Sequence, residues 1–191
     1  MKALVVPANG PVLRQVLRGI ADAGVVDVGV VVAGPDDGVK AEAGDGSRFG
    51  ISITYLPGQP RHSGTIGAVR SAREWLADDD FVLCAGGAFP PGGIVEPLEE
   101  FRVRRPAAQI MADRAPGPSS WDVYFFTSAL HTAVEEAEPS AAGGAELSDA
   151  LRWLYDRGLG VTACTSPAGE RGEPDGDGSA LGAAGAGPAE G

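Results

Sequence analysis

The densest set of groups that could do chemistry in this chain lies in one loop, Gly58-Gln59-Pro60-Arg61-His62-Ser63-Gly64-Thr65-Ile66-Gly67. A glutamine amide offers an acceptor and two donors, which suits it to the edge of a planar base. Gly64 and Gly67 would let a ligand approach the backbone where a helix starts. His62 beside Arg61 reads as a solvated loop residue, because no carboxylate nearby in sequence is placed to orient it as a general base. Elsewhere the candidates are thinner. The stretch Pro7-Ala8-Asn9-Gly10-Pro11 lacks the run of glycine amides that wraps a triphosphate, and no Lys or Arg follows it before Arg14. After the apolar run ending at Cys84 and Ala85 come Gly86, Gly87 and Ala88, none of which has a side chain that could ligate a metal. The acids Asp78-Asp79-Asp80 precede that run and read as a solvated turn rather than a metal cluster. Cys84 has no neighbour in sequence that would lower its pKa, so it is expected in the core and not as a nucleophile.

These groups need elements to position them, and the pattern of the chain supplies an alternation. Short β-branched runs at 2–6, 28–33, 51–56, 81–85, 107–112, 122–126 and 160–164 predict strands. Helix-spaced segments at 11–23, 36–43, 65–77, 93–104, 128–137 and 146–157 fall between them. The alternation predicts an α/β chain with a mainly parallel sheet, in which ligands bind beyond the carboxyl ends of the strands. Gly24 and Gly158 stand where helix C-caps are expected, Thr127 where an N-cap is, and Asp36-Asp37 open the second helix as a cap. Glu99-Glu100 and Glu135-Glu136 fall at helical surface positions.

Composition bounds the function. With 191 residues, 43% of them apolar, the chain can bury one real core, expected over residues 1–165. Residues 166–191, rich in Gly, Ala, Pro and acid, are expected to form a disordered tail. The net charge of −11, and the excess of acid over base within 1–165, argue against a nucleic-acid partner. Two isolated cysteines make neither a disulfide framework nor a zinc site, and no apolar run approaches a membrane span, so a cytoplasmic protein with no membrane partner is expected.

Several segments, in order, carry a resemblance: GIADAGVVDVGVVVAG, GDGSRFGISITYLPGQ, GAVRSAREWLADDDFVL, EEFRVRRPAAQIMADRAPGPS and VYFFTSALHTAVEEAEPSAAGGAELSDALRWLYDRG. Together they resemble the sugar-1-phosphate nucleotidyltransferases of the glucose-1-phosphate thymidylyltransferase type, over nearly all of residues 1–165. The resemblance implies a Rossmann-like fold, magnesium, and the joining of a nucleoside triphosphate to a sugar 1-phosphate with release of pyrophosphate. It also implies what this chain has lost. Val5-Val6-Pro7-Ala8-Asn9-Gly10-Pro11 resembles the first strand spliced directly onto a Val-Ala-Asn-Lys-Pro stretch, so that the Gly-rich loop with Gly-Thr-Arg-Leu-Arg-Pro is missing and Gly10 stands in place of lysine. Gly86-Gly87-Ala88 stands in place of the family's Gly-Asp-Asn, whose aspartate binds magnesium. A block between Ser119 and Val123, with its sugar-contacting Glu-Lys-Pro, has no counterpart, nor has a later Trp-x-Asp-x-Gly segment.

Gln59 and Gly64 keep the spacing of the family's base-recognition loop and are the two site residues expected to survive. No catalytic residue and no metal ligand is expected, and no cofactor, with magnesium required only if some family activity remains. Expected above all is a degenerate, catalytically silent member of nucleotide-sugar metabolism, a partner or regulatory subunit in a homo-oligomer or beside an intact nucleotidyltransferase. Three alternatives stay open: a residual thymidine- or uridine-nucleotide-binding module, a weakly active thymidylyltransferase, and a repurposed enzyme using His62, Asp113 or Cys84.

Overall fold

The structure, a computed structural model, describes residues 1–7, 10–32, 34, 38–58, 64–86, 88–112, 122–137 and 146–165. Seven strands form one sheet: β1 (Lys2–Pro7), β2 (Asp27–Val32), β3 (Ser52–Pro57), β4 (Phe81–Gly86), β5 (Ala108–Ala112), β6 (Asp122–Phe126) and β7 (Val161–Thr165). Their order across the sheet is β3-β2-β1-β4-β6-β5-β7. β1 runs parallel to β2 and β4, β2 to β3, and β5 to β7, whereas β6 is antiparallel to both neighbours. This is the α/β, Rossmann-like, mainly parallel architecture that the alternation predicts.

The central strands read as continuous apolar runs because both faces of the sheet are covered. Every residue of β4 from Phe81 to Ala85 is buried, as are Ala3, Leu4 and Val5 of β1. On one face lie α1 (Gly10–Asp22) and α5 (Val95–Arg104). α1 sends Leu13, Val16, Leu17 and Ile20 into that face, the i, i+3, i+4, i+7 stripe of an amphipathic helix. Phe89 crosses the same face so closely over Gly19 that a Cβ there would lie 2.2 Å from its ring. The other face is covered by α3 (Gly64–Ser71), α4 (Arg73–Leu76), α6 (Ala129–Glu136) and α7 (Leu147–Asp156), through Ile66, Val69, Leu76, Leu130, Val134 and Leu154.

Three local expectations are corrected. The second helix, α2 (Val39–Ala43), starts later than residue 36. Its N-cap is Gly38, whose φ of 74° belongs to no right-handed helix, and it makes no side-chain cap; Asp36 and Asp37 lie outside the described residues. The single helix over 65–77 is two, broken at the buried Ala72. α6 takes Ser128 rather than Thr127 as its N-cap, again with no side-chain hydrogen bond. The C-caps at Gly24 and Gly158 stand, with φ of 71° and 68°. The segment 166–191 lies outside the described residues.

Candidate functional site

The chain winds from β1 through β2 to β3 on one side of the sheet and then crosses back to place β4 on the other side of β1. The carboxyl ends of β1 and β4 therefore flank the reversal of winding, where an open α/β sheet binds its ligands. Their backbones pair out to Pro7 and Gly86. β1 ends at Pro7 and α1 already begins at Gly10, which leaves two residues to make the turn.

The first turns of α1 pack against the ends of the two strands. A cavity of about 10 Å³ lies between them, lined by Val5, Val6, Val12, Leu13, Val16, Cys84, Ala85, Gly86 and Ala88. A single water molecule needs roughly 10–15 Å³ of such space. The lining side chains are apolar apart from one thiol. Burial pushes that Cys84 thiol up to about 12, so at neutral pH it is a protonated core group, as its place in an apolar run implies.

Among the described residues one carboxylate does reach this edge. Asp122 is the first residue of β6, and because β6 runs against β4 its start pairs with Ala85 at the end of β4. A Cβ added to Gly86, whose φ is 94°, would lie 3.0 Å from Asp122 Oδ2. The Tyr124 hydroxyl donates to Asp122 Oδ1 at 3.2 Å. Burial, with the adjacent Asp122 carboxylate, pushes the Tyr124 phenol up to about 12 and keeps it a donor. Sequence reasoning missed Asp122 because it looked for ligands only after the parallel strands. An acid that opens a strand lands at the ligand edge only if that strand is reversed.

Among the described residues this edge offers the magnesium that the resemblance implies a single carboxylate. Gly86 and Ala88 offer no side-chain oxygen, and Asp122 is the one carboxylate placed there among the described residues; a hard cation completes six or more oxygens with phosphates and waters. Among the described residues no group of three or more His, Cys, Asp or Glu side chains could hold a metal ion. The triple acid sits at the opposite edge of the sheet, where two of its members are paired rather than simply solvated. Asp79 meets Lys2 Nζ at 2.9 Å and the N-terminal amine at 3.6 Å, and Arg105 grips Asp80 with two hydrogen bonds of 2.9 and 3.2 Å.

The segment from Gly58 to Gly67 begins at the same edge as Asp122. β3 ends at Pro57, and the Gly58 N–H donates to the Val32 carbonyl at 2.8 Å, which ties the loop's first residue to the end of β2. Gly64 opens α3 with a φ of 76° and open space where a side chain would be, so conformation and not crowding calls for glycine. Gln59, His62, Gly87 and Asp113 lie outside the described residues. No helix among the described residues is long and apolar enough to cross a membrane.

Comparison with known proteins adds to this geometry. The family model for nucleotidyl transferases matches residues 1–90. The glucose-1-phosphate thymidylyltransferase of Streptomyces griseus is 36% identical over 188 residues, covering 84% of this chain and 53% of the relative. That of Streptomyces antibioticus is 38% identical over 189 residues, with the same shares. The chain thus spans about half the length of the curated relatives it matches. The 188 aligned positions also exceed the 84% of a 191-residue chain that enters the match, so the match carries internal gaps on this side. Among solved structures, one from Bacillus anthracis assigned as a glucose-1-phosphate thymidylyltransferase superposes with a TM-score of 0.74 at 18% identity, covering 87% of each chain. A UDP-glucose pyrophosphorylase superposes with a TM-score of 0.56 at 12% identity, over 82% of this chain and 87% of the other.

Proposed function

Because this chain belongs to the nucleotidyl transferase family, in a shortened form of the glucose-1-phosphate thymidylyltransferase type, we propose that it is a catalytically silent member of that family. One observation carries the reading: among the described residues the ends of β1 and β4 meet α1 in an apolar seam around a cavity of about 10 Å³, with no basic side chain in its lining. Transfer of a nucleotidyl group builds negative charge on several phosphate oxygens. Each preorganised donor or cation aimed at that charge is worth on the order of 3 kcal/mol or more. Here the turn after β1 holds no basic residue, and the end of β4 holds no carboxylate of its own. With magnesium, dTTP and glucose 1-phosphate the protein is expected to release pyrophosphate no faster than a blank without protein, in an assay where the Streptomyces griseus relative turns over. Release at a rate comparable with that relative would overturn the reading.

The role left to a silent member is association, with a second copy or with an intact nucleotidyltransferase. Packing depends on apolar surface and can outlast ligand geometry. Co-purification of an intact nucleotidyltransferase with this chain tests the second arrangement. Gly64 supports another reading, in which its loop and Gln59 still hold a thymine or uracil base without turnover. Calorimetric titration with thymidine nucleotides would then give heat that Gln59→Ala abolishes, and no heat at millimolar ligand would end that idea.

A further inference from the structure

A second cavity, of about 400 Å³, opens between α3, α4 and α6, lined by Val69, Arg70, Arg73, His131, Val134 and Glu135. It lies toward the opposite edge of the sheet from the β1/β4 crevice, because the His131 ring stacks on Phe81, the first residue of β4, at 5.9 Å between centroids.

Its polar groups are incompletely paired. Arg70 Nη2 donates to the Val134 carbonyl and Arg73 Nη1 to the Ala77 carbonyl, each at 2.9 Å. Those bonds fix the two guanidinium groups but neutralise neither. Among the described residues Arg70 and Arg73, like Arg18, Arg48 and Arg152, meet no carboxylate within 4.0 Å, whereas Arg14, Arg102, Arg104, Arg105 and Arg157 each meet one. His131 is 5% exposed, and its Nε2 is buried without a hydrogen-bond partner. A buried polar atom left unpaired is costly, and an occupant that satisfies it removes the cost.

From this cluster we propose that the cavity binds a small phosphate monoester that carries hydroxyl groups. Two forked guanidinium groups present several N–H donors, more than one carboxylate can accept but matched to the three terminal oxygens of a phosphate. Val69 and Val134 give an apolar floor for a short carbon skeleton, and Glu135 at the rim accepts from its hydroxyls. The dianion also changes the imidazole. Burial now holds His131 below its ordinary value, with Arg73 adding to the effect and Asp78, Glu135 and the Ala77 backbone opposing it. A phosphate lying between Arg70, Arg73 and the ring would draw a proton onto His131.

The chain has two histidines, so in a His62→Gln background the Cε1–H proton resonance reports His131 alone. Titration of this variant with glycerol 3-phosphate is expected to shift that signal saturably and to raise the pH at which it titrates. Inorganic phosphate is expected to bind more weakly than the ester, and acetate at least tenfold more weakly. Arg73→Gln, which removes a surface guanidinium, is expected to weaken the ester tenfold or more with the amide fingerprint unchanged. Arg70→Lys, which keeps the charge and loses the fork, is expected to weaken it as well. No saturable shift overturns the proposal, as does affinity unchanged in both arginine variants, or acetate or inorganic phosphate binding as tightly as the ester.

Discussion

Cys84, Gly86 and His131 each convert a feature of their surroundings into something measurable. Cys84 is 4% exposed and held protonated by burial. In a Cys164→Ser background it is expected to react with a thiol reagent such as DTNB only at the rate of unfolding, and immediate labelling of that folded variant at neutral pH would contradict its place in the core. Gly86 combines a φ of 94° with the carboxylate of Asp122 beside it, so Gly86→Ala forces a side chain into a conformation that costs on the order of 1–3 kcal/mol. Urea unfolding should show that loss, and adding Asp122→Gly should return only the part due to crowding. For His131 the sign follows from its lowered proton affinity. The unfolded chain takes up a proton near pH 6.5 that the folded imidazole resists, so this group's stabilising contribution is present above that pH and lost as pH falls below it. The stability of His131→Phe should accordingly fall less than that of the parent between about pH 7 and pH 5. A parallel fall in both proteins would remove His131 from the account.

Among the elements, α1 packs directly on the strands whose ends flank the reversal of winding. The helix is held by Leu13, Leu17 and Ile20 in the core that it shares with β1 and β2. Leu17 is fully buried, so Leu17→Ala is expected to cost about 2–5 kcal/mol in denaturant unfolding. A cost well under 1 kcal/mol would mean that α1 is not packed as described. The same elements show what local sequence can carry. The strands lie within one or two residues of their expected places because β-branched runs bounded by Gly, Asp and Pro leave little choice of conformation. The break at Ala72 was not legible, since alanine is the best of helix formers and the interruption is imposed by packing. The delayed start of α2 turns on Gly38 adopting a positive φ, which a glycine permits but does not announce.

For the molecule as a whole, the parallel half of the sheet was legible and the reversed strand was not. Direction is set by which neighbour a strand meets, and β6 meets β4 and β5 from opposite sides of the chain's path. That is why the emptiness of Gly86 and Ala88 could be read from sequence while the arrival of Asp122 beside them could not. β3 and β7 stand at the two ends of the sheet, each with one side unpaired among the described residues. With Val103 and Tyr155 also exposed, these edges favour association, so light scattering is expected to give more than a monomer mass. A clean monomer would count against a role as a partner subunit. The central claim, that the β1/β4 crevice can no longer hold a metal-bound triphosphate, is tested most directly by paramagnetic relaxation with Mn²⁺ and dTTP. No saturable, localised broadening of the Ala85, Gly86 and Ala88 amides is expected, and saturable broadening centred on those three would contradict the claim.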